Sequence, residues 1–164
     1  MHFFVGSDHG GIEMREQLST MLCDWGHDVV DTFGPANSGE PVDYPDVALD
    51  LSRALLKSEA DDVPALGLLV CGTGQGMAIS ANKIPGIRAG VVSDAFSAKM
   101  IREHNDANVI CLGQRVLGSD LASLILQNFV DSEFAGGRHA TRVNKINELD
   151  RRAKSTSSEA ADQA

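Results

Sequence analysis

The sequence predicts an α/β fold: a doubly wound parallel sheet of five strands with helices on both faces. Three observations carry this reading. Short apolar runs alternate with segments of helical periodicity along the chain. The apolar runs are continuous rather than alternating, as in strands covered on both faces. The resulting order, βαβαβαβαβαα, specifies parallel strands joined by helical crossovers.

The elements follow in order. Phe3-Phe4-Val5 is the first strand. Met14, Leu18, Met21, Leu22 and Trp25 then form one helical face, and Gly26 is its stop signal. Val29-Val30 is the second strand, and residues 33–44, rich in Gly, Pro, Asn and Ser, are a loop. Val47, Ala48, Leu51, Ala54 and Leu55 give the second helix, and Leu66-Gly67-Leu68-Leu69-Val70 the third strand. A short helix over 77–82 ends at Pro85-Gly86. Ala89-Gly90-Val91-Val92 is the fourth strand, and Ser93-Asp94 is placed to cap a helix from Ala95 to about His104. Asn108-Val109-Ile110-Cys111-Leu112 is the fifth strand, and Ser119-Asp120 is placed to cap the helix carrying Leu121, Leu124, Ile125 and Phe129. A last helix runs from about Arg138 to Lys154, with Val143, Ile146, Leu149 and Ala153 on one side. Residues 1–154 form one domain, and the small polar segment 155–164 is expected to be a disordered tail.

Composition narrows the function. The 164 residues carry 23 acidic and 14 basic side chains, a formal net charge of −9. Such a chain has no general attraction for nucleic acid or an anionic membrane, so an anionic ligand needs a local cluster of cations. The three cysteines, Cys23, Cys71 and Cys111, are widely spaced and odd in number. This argues against a disulfide framework or a cysteine-rich zinc site, and for a reducing compartment. The first residues lack a basic region and a long apolar stretch, so no signal peptide is expected. No apolar run approaches the ~20 residues of a membrane span. The expected location is cytoplasmic.

In an open α/β sheet, ligands bind at the carboxyl ends of the strands, near the switch in strand order. Strand one ends in Ser7-Asp8-His9-Gly10-Gly11 and strand three in Cys71-Gly72-Thr73-Gly74-Gln75-Gly76. The glycines allow a tight turn and close approach to a ligand, and the next helix aims free N–H groups back at it. Cys71 is either a buried strand cysteine or a thiolate favoured by that helix start. The spacing is neither a Walker A loop nor G-x-G-x-x-G. Asp8-His9 can be a reacting pair, or an N-cap with an exposed histidine. His104-Asn105-Asp106 closes a helix, where a histidine is favourable for its charge alone. Arg138 and Arg142 lie at i and i+4 beside Gly136-Gly137. They suit an anion, or are two solvated surface arginines.

Taken together, these residues resemble the type B ribose-5-phosphate isomerase family, whose relatives include the galactose-6-phosphate isomerase subunits. The matching pieces are Ser7-Asp8-His9-x-Gly11, Asp43-Tyr44-Pro45, Cys71-Gly72-Thr73-Gly74-x-Gly76, Ser80-Ala81-Asn82-Lys83, Gly86-Ile87-Arg88-Ala89, His104-Asn105-Asp106-x-Asn108-Val109, Gly113-x-Arg115 and Gly137-Arg138-His139-x-x-Arg142. They run in register from about residue 4 to 150.

The resemblance implies a cofactor-free aldose–ketose isomerase with a Rossmann-like fold, converting ribose 5-phosphate and ribulose 5-phosphate through an enediol. It implies Cys71 as the base between C2 and C1. Relatives without this cysteine carry a glutamate at the position of Gln75. It implies His104 in ring opening, with Thr73 beside it, and Gly72, Gly74 and Gly76 as N–H donors to the enediolate. Asp8 would contact the sugar hydroxyls, Asn105 would lie near the reacting carbonyl, and His9, Arg138 and Arg142 would hold the phosphate with help from Arg115. The family forms dimers, or tetramers built from dimers, with active sites at the interface, so His104 and Asn105 are candidates for a site completed by another subunit. The sugar-phosphate substrate is the expected partner, with no nucleic acid and no membrane. No convincing metal-ligand cluster is present, and proton transfer next to a carbonyl needs none.

Two other readings compete. One is the same reaction on a six-carbon sugar phosphate such as allose or galactose 6-phosphate. The other is a non-enzymatic nucleotide- or ligand-binding module, which would want a ribose-binding signature after strand two; only Asp31-Thr32 stands there. A receiver-type signalling domain fails because strand three ends in Cys71 rather than a phosphorylatable aspartate.

Overall fold

The computed structural model describes the backbone of residues 1–161 and the side chains of residues 1–152. The elements are β1 (His2–Ser7), α1 (Ile12–Asp24), β2 (Asp28–Phe33), α2 (Tyr44–Ala60), β3 (Ala65–Cys71), α3 (Gln75–Ala81), β4 (Ala89–Val91), α4 (Ala95–Asn105), β5 (Val109–Gly113), α5 (Ser119–Val130) and α6 (Arg138–Ala161). All strands are parallel, in the order β2-β1-β3-β5-β4.

The pleat divides the core in two. Along β3, Leu66, Leu68 and Val70 face one side and pack with Leu18 and Leu22 of α1 and Ile125 and Phe129 of α5. Ala65, Leu69 and Cys71 face the other and pack with Leu51 and Leu55 of α2 and Met77 of α3. β1, β3 and β5 are thus buried on both faces, as their continuous apolar runs predict. β2 and β4 depart from that expectation. They are the sheet edges, and their residues are largely half-buried or exposed.

Helix boundaries show where local signals compete. Pro45 in its first turn starts α2 at Tyr44, earlier than the apolar face alone indicates. α3 ends at Ala81, short of Pro85-Gly86. Asp94 caps α4 as predicted, its carboxylate accepting from Ser97 N–H at 2.8 Å. The expected Ser119-Asp120 cap is not formed: Gly118 occupies the N-cap of α5 and both residues lie inside the first turn. α6 continues past residue 154, the domain end expected from the sequence, because no Gly or Pro interrupts residues 138–161. The segment expected as a tail is therefore helical to Ala161, and residues 162–164 lie outside the described residues.

Each crossover helix returns antiparallel to its strand, so the molecule has two poles. The carboxyl pole holds the segments that follow β1, β3 and β5. The amino pole holds the ends of the helices, the segment 106–108 before β5, and the start of α6. Hydrogen bonds fasten α6 and its approach there: Ala135 N–H donates to Glu103 O at 2.9 Å, and Gly86 N–H donates to the Asp150 carboxylate at 2.9 Å.

The α4 cap supplies a test. Hydrogen bonds from the Ser97 N–H and from its side chain hold the Asp94 carboxyl below its ordinary value of 3.8. A depressed carboxyl stabilises the fold above the unfolded value, and that gain is lost as pH falls through the folded one. Asp94→Ala should therefore lower Tm at pH 7 by roughly 2–4 °C. The gap to wild type should close as pH drops below 3.8 in thermal melts followed by circular dichroism.

Candidate active site

At the carboxyl pole, the ends of β1, β3 and β5 converge. Cys71 ends β3 on the α2 side, with 6% of its surface exposed. The chain then turns through Gly72-Thr73-Gly74 into α3. Gly74 takes φ +79°, the left-handed region that favours glycine, and its N–H donates to Cys71 Sγ at 3.0 Å. The β5 end closes the other side of the turn. Gln114 N–H donates to Cys71 O at 2.9 Å, and Arg115 N–H to Gly72 O at 3.0 Å. The Arg115 side chain lies along Gly72, its Cζ 3.4 Å from where a Cβ would stand. From β1, the Asp8 carboxylate accepts the Gly10 N–H at 2.8 Å, which fixes it facing the same turn, while His9 is exposed. One chain therefore brings together Asp8, Cys71, Gly72, Thr73, Gly74, Gly76 and Arg115, with His9 at the rim.

Tyr44 completes this pole. Its ring lies so close to Gly76 that a Cβ there would stand 2.8 Å from Tyr44 Cε2. The Asp43-Tyr44-Pro45 motif marked the residue but gave it no role, because only the fold places the start of α2 over α3.

At the amino pole is a second cluster. His104 and Asn105 end α4, and the first turns of α6 carry Arg138, His139 and Arg142. The His104 and His139 rings stack at 4.1 Å between centroids, 3° from parallel. Arg138 Nε donates to His139 Nε2 at 3.4 Å. Burial pushes the His139 imidazole below its ordinary value, and His104, Arg138 and Arg142 add to the effect while Glu103 opposes it. Arg138, Arg142 and Asn105 are exposed.

The two clusters are not brought together within one chain. β5 alone, five residues from Val109 to Gly113, spans about 13–16 Å between the poles. Any site using Cys71 with His104, or His9 with Arg138 and Arg142, must take the second set from another chain.

The other cysteines lie outside the turn that follows Cys71. Cys111 is fully buried on β5, and burial, then Cys71, pushes its thiol well above the ordinary range, so it stays protonated. Cys23 is exposed on α1, far along the sheet from the turn. Among the described residues, no three His, Cys, Asp or Glu side chains group to hold a metal ion, and no helix is long and apolar enough to cross a membrane.

Comparison with known proteins identifies the fold and the family. The model of the Ribose/Galactose Isomerase family matches residues 3–146. The ribose-5-phosphate isomerase B of Escherichia coli is 39% identical over 90% of this chain and 95% of its own. The D-erythrulose-4-phosphate isomerase of Pectobacterium atrosepticum is 41% identical over 87% and 90%. The structure of Clostridium thermocellum ribose-5-phosphate isomerase B superposes with a TM-score of 0.86 at 46% identity, covering 93% of this chain and 99% of that one. A five-stranded Rossmann-like sheet with a cysteine and glycine turn at its switch point is thus the framework of a sugar-phosphate isomerase, and the chain belongs to the Ribose/Galactose Isomerase family.

Proposed function

We propose that this protein interconverts ribose 5-phosphate and ribulose 5-phosphate, in active sites built where the carboxyl pole of one chain meets the amino pole of another. The observation that carries the reading is the division of the site: a cysteine in a turn rich in N–H groups at one pole, and His104 at the end of α4 with Arg138 and Arg142 at the start of α6 at the other. Neither half suffices. A base without a phosphate holder cannot orient a sugar phosphate, and a chain of net charge −9 needs local cations to capture a dianion.

The chemistry follows the atoms of the sugar. In the closed furanose the ring oxygen is bonded to C4, next to the carbon that bears the phosphate. A group beside the phosphate holders is therefore near the ring oxygen. Arg138 and Arg142, one helical turn apart, hold the phosphate with His9 and Arg115. His104, in the same cluster, assists ring opening: the C1–O bond breaks, the ring oxygen gains a proton, and the C1 hydroxyl loses one to leave an aldehyde. Thr73 lies beside this step. Cys71 then takes the C2 proton and returns it to C1, while the C1 carbonyl oxygen gains a proton to become a hydroxyl and the C2 hydroxyl gives one up to become the ketone. Between these transfers, negative charge on oxygen is met by N–H groups of residues 72–76, and Asn105 holds the reacting carbonyl. Asp8 accepts hydrogen bonds from sugar hydroxyls. No step draws on a cofactor.

The assembly is a homodimer, or a tetramer of such dimers. Large apolar side chains support association. Phe96 at the start of α4 and Ile79 on α3 are 71% and 62% exposed, large apolar surfaces for a second chain to cover. The family likeness fixes the reaction class more tightly than the sugar length, since the Pectobacterium relative bears the name of a four-carbon substrate. A coupled assay of four-, five- and six-carbon aldose phosphates, with no added metal, tests the choice: ribose 5-phosphate should give the highest kcat/KM. A six-carbon or four-carbon sugar turned over far better would overturn it.

Two substitutions test the roles. Cys71→Ala should fold with unchanged circular dichroism and lose about 10²–10⁴-fold in kcat, because a methyl group carries no proton. Near wild-type turnover would remove Cys71 as the base. Arg142→Ala should raise KM for ribose 5-phosphate by roughly ten- to a hundredfold and leave that for unphosphorylated ribose unchanged. Equal weakening of both sugars would show that Arg142 does not read the phosphate.

A further inference from the structure

His139 has no part in the reaction above, yet it is the most buried ionisable side chain of the amino-pole cluster, with 8% of its surface exposed. Its ring stacks on His104, 4.1 Å between centroids and 3° from parallel. The contact is held from both sides. Ala135 N–H to Glu103 O ties the approach to α6 onto the last turn of α4, and Val143, one helical turn after His139, is buried. His104 itself is only half-buried and ends its helix, so little else restrains its ring.

We propose that His139 is a positioning residue for His104: the stacked imidazole fixes the plane in which His104 presents its ring nitrogens to the sugar. The proposal rests on the isomerase reading, in which His104 opens the furanose. Proton delivery to a ring oxygen is directional, and misplacing a reacting group by about 1 Å can cost on the order of 10²-fold. A flat ring packed face to face removes rotation about the side-chain bonds of His104 without occupying either of its nitrogens.

The surrounding charges keep the stack usable. Arg138 Nε donates to His139 Nε2, so that nitrogen carries no proton. Burial first, then His104, Arg138 and Arg142, disfavours a cation on His139, against the opposite influence of Glu103, which is itself paired with Lys99 at 3.6 Å. A neutral His139 can lie flat against His104, whereas a second cation at 4.1 Å would repel a protonated partner. The two arginines thus add to what burial already does in keeping the stacked ring neutral.

The test compares His139→Ala with His139→Phe in the full-length enzyme, measuring kcat in both directions. Ribulose 5-phosphate cannot close to a furanose, so its turnover does not require His104 to open a ring. His139→Ala should lower kcat for ribose 5-phosphate by about tenfold or more and change kcat for ribulose 5-phosphate by less than about threefold. His139→Phe, which restores a flat ring, should recover most of the ribose activity. Melting curves of both variants separate this from loss of fold. Equal losses in both directions, no loss with alanine, or a folded phenylalanine variant as poor as alanine would each overturn the proposal. A wild-type enzyme inactive on both sugars would instead overturn the isomerase reading, and the inference with it.

Discussion

A parallel strand can be followed by another parallel strand only if the chain travels back, and here helices make each return. That constraint places every strand end at one pole and the ends of the crossover helices at the other. It puts Cys71, at the end of β3, a full strand length from His104, at the end of α4. No side-chain rotation closes such a gap. The proposed pairing of two chains answers it directly, because a neighbouring copy can present its amino pole to the carboxyl pole. Arg138, Arg142 and the ring-opening His104 would then come from one chain, and Cys71 with His9 and Arg115 from the other.

Burial sorts the cysteines in the same framework. Cys71 and Cys111 stand on adjacent strands and face the same side of the sheet. Cys111 is enclosed mid-strand, where a thiolate would be stranded without donors. Cys71 is at the strand end, where the turn through Gly74 supplies an N–H to its sulfur. A displacement of two residues along the sheet separates an inert thiol from a candidate base. The acidic surface has a comparable effect on substrate. With few cations to compete, the arginines at residues 115, 138 and 142 are natural destinations for a phosphate.

The central strands were legible because burial on both faces leaves an unbroken apolar run, as in residues 66–70. The edges were harder. β2 extends to Phe33 through the exposed residues Asp31 and Thr32, which carry no apolar signal. Ser119-Asp120 looked like a cap because capping chemistry is common to any helix start, but the backbone enters α5 at Gly118. α6 outruns its apolar pattern because residues 155–161 include nothing that stops a helix. Within the candidate site, glycines and reactive side chains at strand ends were visible from spacing alone. Tyr44 over Gly76 and His139 on His104 were not, since both contacts join segments far apart in sequence.

The division of the site between two chains is tested most directly by combining defects. Cys71→Ala and Arg142→Ala chains, carrying different affinity tags, can be mixed under conditions of subunit exchange and the mixed dimer purified. One of its two sites would carry both substitutions and the other neither. At subsaturating ribose 5-phosphate, the mixed dimer should recover about half of wild-type activity, far above either parent. A mixed dimer no more active than the mean of its parents would contradict a site shared between poles.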